Sequence, residues 1–234
     1  MHKISSFFIT LTMAITLLSC GSENREISFQ TGDLLFTGSD PTEEGLLSDA
    51  INEVTQTSLK TNYTHMGLVV VEDGEVEVIH AAPKKGVCRE PLANFLEKMT
   101  IVDLYRFKSE LNVPFDRAIE RSIPLIGLPY DSLYIMNDEN GYYCSSLIYT
   151  LFEDQNIFQL EPMTFKDPLT GMFHPSWEAH YIRLNVPIPE GQPGCNPNGM
   201  AESEALKYVG SLNLETLELM VPKLKNHTLF RTER

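Results

Sequence analysis

Two β-prone runs separated by Asp73-Gly74 constrain the fold more than any other feature of the sequence. Thr64 to Glu72 is rich in valine, and Glu75 to His80 alternates polar and apolar residues. An Asp-Gly pair between such runs is a strong signal for a two-residue hairpin turn. A two-residue loop fixes the register: Val71 faces Val76, Val69 faces Val78, and Gly67 faces His80. Opposed residues share a face of the sheet, as do residues two apart on one strand. His65, Gly67, Val69, Val71, Val76, Val78 and His80 therefore lie on one side, and four valines mark that side as buried. The two histidines are diagonal neighbours, their backbones roughly 7–8 Å apart, with no side chain on Gly67 to separate them.

A single histidine on an apolar face is usually a core residue. Two on one face, at the open end of a hairpin, suit an orienting pair, with His65 as base and His80 as the group that fixes its tautomer. A metal-dependent hydrolase built on His65 and His80 is a competing reading. No carboxylate or third histidine stands at an evident spacing to complete such a site. The sequence has no CxxC pair and no HExxH, and no dinucleotide-binding or phosphate-binding glycine loop. The expectation is no metal and no cofactor.

The candidate nucleophile is Cys144. Leu147, Ile148, Leu151 and Phe152 recur after it at helical spacing. They place Cys144 in the first turn and on the apolar, inward face. Unpaired amides and the positive end of the helix dipole lower a thiol pKa at such a position. The alternative is a buried cysteine that acts as one more small apolar residue. If the helix packs on the valine face of the hairpin, thiol and both imidazoles converge in a nucleophile, base and orienter arrangement.

The N-terminus carries Lys3, then an apolar stretch from Ile4 to Leu18 that ends in Leu17-Leu18-Ser19-Cys20. The stretch is short for a membrane span and suits a secretory signal. Its ending resembles the bacterial lipobox, in which the cysteine is lipidated and becomes the mature N-terminus. Residues 1–19 are read as a signal peptide, 20–30 as a lipidated tether and 31–234 as a single domain. The expected location is the bacterial cell envelope, periplasmic or surface-exposed, held to the membrane by lipid at Cys20. A formal charge of -14 with no basic stripe argues against a nucleic-acid partner. Lys84-Lys85 reads as a solvated turn tip. Besides Cys20, the cysteines are Cys88, Cys144 and Cys195; a Cys88–Cys195 disulfide that leaves Cys144 free would fit an oxidising compartment.

Elsewhere, Asp33 in the Gly32-Asp33 turn before the first strand is a turn residue or a carboxylate standing behind the site. Val113 to Ile126 reads as a helix with Ala118, Ile119, Ile123 and Ile126 inward, limited by Pro124. The Pro- and Gly-rich stretch 165–199 reads as a long irregular segment. Its Trp177 either lines the site or anchors the segment to the core. Ala201 to Lys225 reads as one or two short helices.

The order of four segments resembles a known family. They are Gly32-Asp33-Leu34-Leu35-Phe36, Thr64-His65-Met66-Gly67-Leu68-Val69, Val78-Ile79-His80-Ala81, and Tyr143-Cys144-Ser145-Ser146-Leu147-Ile148. They look like the circularly permuted branch of the NlpC/P60 papain-like superfamily, the YaeF/YiiX-like amidases, in which the histidine precedes the cysteine. The Cys-His-His set also resembles the lecithin:retinol acyltransferase-like relatives. The resemblance implies an α+β fold, an antiparallel sheet packed against the helix that carries the nucleophile. It implies Cys144 as nucleophile, His65 as base and His80 as the third polar residue. Tyr143 and Ser145 beside the nucleophile, with Trp177, become candidates for shaping the oxyanion and substrate site. The implied activity is hydrolysis of an amide or ester, in a cell-wall peptide or an N-acyl lipid. The rival is a non-catalytic lipoprotein that uses the same fold to bind.

Overall fold

The computed structural model describes residues 27–38, 46–97, 99–136 and 141–212. The expected signal peptide, the lipidation site Cys20 and the region beyond 212 lie outside the described residues. The strands are β1 (Leu34–Gly38), β2 (His65–Glu72), β3 (Glu75–Ala82), β4 (Gly86–Pro91), β5 (Ile101–Phe107), β6 (Glu161–Pro162), β7 (Pro193–Gly194) and β8 (Leu206–Ser211). Six of them form one antiparallel sheet in the order β4-β3-β2-β1-β5-β8, and β6 pairs with β7. The helices are α1 (Leu46–Val54), α2 (Leu92–Phe95), α3 (Phe115–Ser122), α4 (Cys144–Leu151), α5 (Pro175–Leu184) and α6 (Pro197–Ala201). The fold is the expected α+β class. Among the described residues no helix is long and apolar enough to cross a membrane.

The β2–β3 hairpin has the expected register, Val71 opposite Val76 and Val69 opposite Val78. Asp73 and Gly74 both take positive φ, 51° and 80°, as the mirror-image turn that matches strand twist requires. The sheet is buried on both faces. On one, Leu34, Phe36, Met66, Leu68, Val70, Ile79 and Ala81 pack with Leu147, Ile148 and Leu151 of α4. On the other, Leu35, Val69, Val78 and Leu104 pack with Leu92, Phe95 and Leu96 around α2. Helix α4, which carries Cys144, therefore does not pack on the valine face, as the sequence suggested; α2 covers that face. Each of the large α4 side chains contributes about 1.5–3 kcal/mol by leaving water, which fixes the height of Cys144 over the sheet.

Three further expectations change. After Ser122 the chain tightens into a short turn of 3-10 helix at Ile123–Leu125. Pro124 cannot continue an α-helix, and Ile123 is left 64% exposed. The 165–199 stretch contains α5, started by Pro175 and capped by His174, whose side chain accepts from the Ser176 amide. Between Ala201 and Leu212, the described part of the stretch read as one or two short helices, the chain forms strand β8, pairing along β5 with a bulge between Leu104 and Tyr105.

Asp33 has a structural role. It is buried, and its two oxygens lie 2.6 and 2.8 Å from Arg106 Nε and Nη2. It also accepts the Gln30 amide at 2.8 Å. This clamp joins the start of β1 to β5. Asp33→Asn removes the charge and leaves Arg106 without its partner. It is expected to destabilise the fold by about 3 kcal/mol, read as a lower urea midpoint at unchanged slope.

Candidate active site

The pairing of β2 with β3 stops short of the N-terminal end of β2. The β2–β3 ladder runs from Glu72 opposite Glu75 to Leu68 opposite Ile79 and ends there, whereas His65, Met66 and Gly67 pair only with β1. Val69 N–H donates to Asp33 O at 2.8 Å, so odd-numbered amides of β2 point to β1 and even-numbered ones to the β3 side. The Met66 amide thus points away from β1, and it favours the Cys144 thiolate.

Cys144 is the first residue of α4. The helix start is held by a reciprocal cap: Tyr143 N–H donates to Ser146 Oγ at 3.0 Å, and the Ser146 hydroxyl donates to Tyr143 O at 3.0 Å. Cys144 is only 5% exposed. Burial pushes its thiol up to about 11; hydrogen bonds from the Ser145 and Met66 backbones and from its own amide pull the other way without winning. The helix-start amides of Cys144 and Ser145 act as expected from the sequence; the Met66 amide, on β2, and the larger desolvation were not expected. The resting sulfur is a neutral thiol.

His65 and His80 lie on the other face of the sheet, the face of α2. His65 Nε2 is 2.9 Å from His80 Nδ1, and both rings pack on Phe95. A Cβ on Gly67 would stand 3.0 Å from Phe95 and 3.3 Å from the His80 Cβ, and only 2.4 Å from Val78, so no larger residue fits between the rings. Burial lowers His65 to about 3, with the neighbouring His80 adding to the effect, and burial with Lys85 lowers His80 to about 4. Both rings are neutral. Thiol and imidazoles approach the N-terminal end of β2 from opposite faces, the sulfur against the amide that follows His65. Among the described residues, no hydrogen bond joins the thiol to either ring.

The structure adds Glu90, which the sequence reading passed over. His80 Nε2 lies 2.8 Å from Glu90 Oε1, and Lys85 Nζ lies 2.8 Å from each Glu90 oxygen. Lys85 stands on an exposed turn, as the sequence suggests, and its ammonium also reaches Glu90. The signal was present in the next turn: a short loop at Pro83-Lys84-Lys85 places Cys88 opposite His80 and Glu90 opposite Val78, as observed. A carboxylate paired to an ammonium can only accept, so His80 Nε2 carries that ring's single proton. His80 Nδ1 must then accept from His65 Nε2–H. His65 Nδ1 is left with a free lone pair, which is the base form. Glu90→Gln lets the amide donate to His80 and removes this bias. We expect a loss of about 10–100-fold in kcat with little change in KM, by analogy with other groups that orient a histidine. A loss confined to KM would show that Glu90 acts only in binding.

The remaining sequence candidates fall on the α4 side. Cys144, Ser145, Tyr143 and Trp177 line one cavity of about 450 Å³. The Tyr143 hydroxyl is engaged away from the sulfur, donating to Met136 Sδ at 3.0 Å and accepting from the Cys195 amide at 3.4 Å. The Ser145 hydroxyl donates to Cys195 O at 3.0 Å. Trp177 both lines the cavity and anchors α5, edge-on to Phe165 at 5.0 Å. Tyr130 and Tyr134, not singled out in the sequence, line the same cavity; burial raises both hydroxyls, and Cys144 adds to the effect. Cys88, Cys144 and Cys195 are all free thiols. The Cys88–Cys195 bridge that an oxidising compartment would permit does not form, because Cys88 stands beside His80, whereas Cys195 stands beside Tyr143 on the opposite face.

Residues 28–210 match the model of the permuted papain-like amidase enzyme, YaeF/YiiX, C92 family. Among solved structures, the chain is similar to that of metalloprotein yiiX from Escherichia coli O157:H7. The match has a TM-score of 0.61 at 19% identity and covers 78% of this chain and 97% of that one. At this identity the likeness speaks for the fold. A comparison with curated proteins found no match.

Proposed function

The chain belongs to the permuted papain-like amidase family, and from that membership we propose that it is a cysteine hydrolase whose nucleophile is Cys144. The observation that carries this reading is the relay Glu90–His80–His65, which leaves a lone pair on His65 Nδ1, in the residue that precedes the Met66 amide acting on the Cys144 thiol. Substrate entry brings thiol and imidazole into contact, a tightening usual for catalytic hydrogen bonds that are long in the free enzyme. The Cys144 proton passes to His65 Nδ1 as the sulfur attacks the carbonyl carbon. Amides at the start of α4 receive the oxyanion. His65 then gives its proton to the leaving amine or alcohol, and a thioester remains on Cys144. Water, deprotonated by His65, attacks the thioester, releasing the acid and regenerating the thiol.

The cavity beside Cys144 favours an acyl substrate over a cell-wall peptide. Its walls include Ile51, Val54, Phe158, Met163, Phe165 and Trp177. The wall also carries Gln159, Glu161, Glu202 and Glu204, so the apolar part would take a hydrocarbon chain and the polar part its head group. The reaction proposed is hydrolysis of an N-acyl amide or an ester of a long-chain acid, by an enzyme held to the cell envelope through lipid on Cys20. Incorporation of labelled fatty acid that survives Cys20→Ala would remove the anchoring part of this reading.

The test of function is incubation with N-acyl amides, long-chain esters and peptidoglycan fragments, wild type beside Cys144→Ala, with products read by mass. The expected outcome is free long-chain acid from the wild type alone. Identical product profiles reject catalysis by Cys144 on these substrates. The protonated resting thiol favours a second reading, in which the lipoprotein uses the cavity only to bind. That reading predicts tight association with the acyl compounds and no product from either protein.

A further inference from the structure

We propose that His80, Cys88 and Glu90 form a binding site for a soft divalent cation such as zinc, and that filling it switches off His65 as a base. The β3–β4 ladder sets His80 opposite Cys88 and Val78 opposite Glu90, so all three side chains rise from one face of an edge hairpin. Glu90 Oε1 and Cys88 Sγ lie 2.8 and 3.3 Å from His80 Nε2. The three donor atoms lie within 4.8 Å of one another. Tetrahedral zinc with bonds of about 2.0–2.3 Å places its donors about 3.4 Å apart, so small side-chain movements complete the arrangement. One imidazole, one thiolate and one carboxylate make a donor set that suits zinc and disfavours calcium or magnesium. Cys88 is a free thiol with a role in neither the core nor a disulfide.

Lys85 holds the carboxylate in the metal-free protein. It stands on a turn, with its side chain 48% exposed, and can leave to solvent. Binding thus exchanges the Lys85 ammonium and the Cys88 thiol proton, which goes to solvent, for the cation. The consequence for the relay follows from counting protons. Ligation uses the lone pair of His80 Nε2, so the single proton of that ring moves to Nδ1. His80 then donates to His65 Nε2, and the proton of His65 must sit on Nδ1. The edge that would receive the Cys144 proton becomes a donor. Binding itself is independent of the proposed hydrolysis; the switching part rests on it.

Binding is tested on the Cys144→Ser protein, so that the nucleophile contributes no ligand. Zinc is titrated in competition with a chromophoric chelator, and cobalt is followed by its thiolate charge-transfer band. The expected result is one ion per chain with the thiolate band present, loss of that band in Cys88→Ala, and affinity reduced by about 100-fold in Cys88→Ala and Glu90→Ala. Lys85→Ala, which removes the competing ammonium, is expected to bind more tightly. Affinity unchanged in Cys88→Ala, or no thiolate band, overturns the site. For switching, hydrolysis with and without zinc is compared in proteins that retain Cys144; zinc should suppress the wild type and have a much weaker effect on Cys88→Ala. Equal suppression of both overturns the switch. Binding as expected in a protein with no hydrolysis on any substrate refutes the proposed function and leaves the metal site standing.

Discussion

Cys144→Ala is expected to lower turnover of a long-chain acyl substrate by about 10⁵-fold or more, the scale seen when a nucleophile is removed from a triad. The sulfur stands at the start of α4, on the wall of the apolar cavity and against amides that can receive an oxyanion. An alanine keeps the cavity and the amides and removes the nucleophile. Substrate affinity should therefore stay within about threefold of wild type while product formation ceases, which separates chemistry from binding. The substitution deletes one buried sulfur and should cost about 1 kcal/mol of stability, too little to unfold the domain. A matching thermal melt, checked beside the activity, excludes unfolding as the cause. Residual turnover at a tenth of wild type would place the nucleophile elsewhere.

His65→Ala is expected to cost about 10³–10⁴-fold at neutral pH. A thiol held near 11 is ionised in only about one molecule in 10⁴ at pH 7. Without a base to take the proton during attack, the reaction depends on that fraction. The rate of the variant should then rise about tenfold per pH unit towards pH 11, whereas the wild type gains far less over the same range. Because sulfur and imidazole act as one unit, Cys144→Ala with His65→Ala should be no slower than Cys144→Ala alone. A pH profile of His65→Ala parallel to the wild type would mean that His65 only supports the packing around Phe95.

The hairpin was legible because its turn chemistry and its alternation agree. Asp73-Gly74 fixes the register, and the register alone places His65 and His80 together, 2.9 Å apart in the structure. The side on which α4 packs was not legible. A strand pair with one wet face announces its buried side, but here Val69 and Val78 are buried on one face and Leu68, Val70 and Ile79 on the other. A sheet covered on both faces carries no such signal. The early end of the β2–β3 ladder, beside the Met66 amide that acts on Cys144, is a tertiary feature with no local sequence mark.

Glu90 and Cys88 were within reach of the same reasoning that found the histidines. The Pro83-Lys84-Lys85 turn continues the meander, and carrying the register across it puts both residues beside His80. The thiol pKa lay beyond local reasoning, because helix-start donors are visible in the sequence and the depth of burial is not. Strand β8 escaped because its exposed residues, Lys207 and Tyr208, follow a short edge-strand pattern that depends on β5 for its pairing.

The central claim is that an acyl group passes through Cys144 with His65 as base. It is tested most directly by acid-quenching the enzyme within the first turnover of a long-chain activated ester and weighing the intact protein. The account predicts one added acyl group per chain, mapped to the peptide that contains Cys144, formed much more slowly in His65→Ala and absent in Cys144→Ala. Product release with no adduct on Cys144, or an adduct that survives Cys144→Ala, would contradict it.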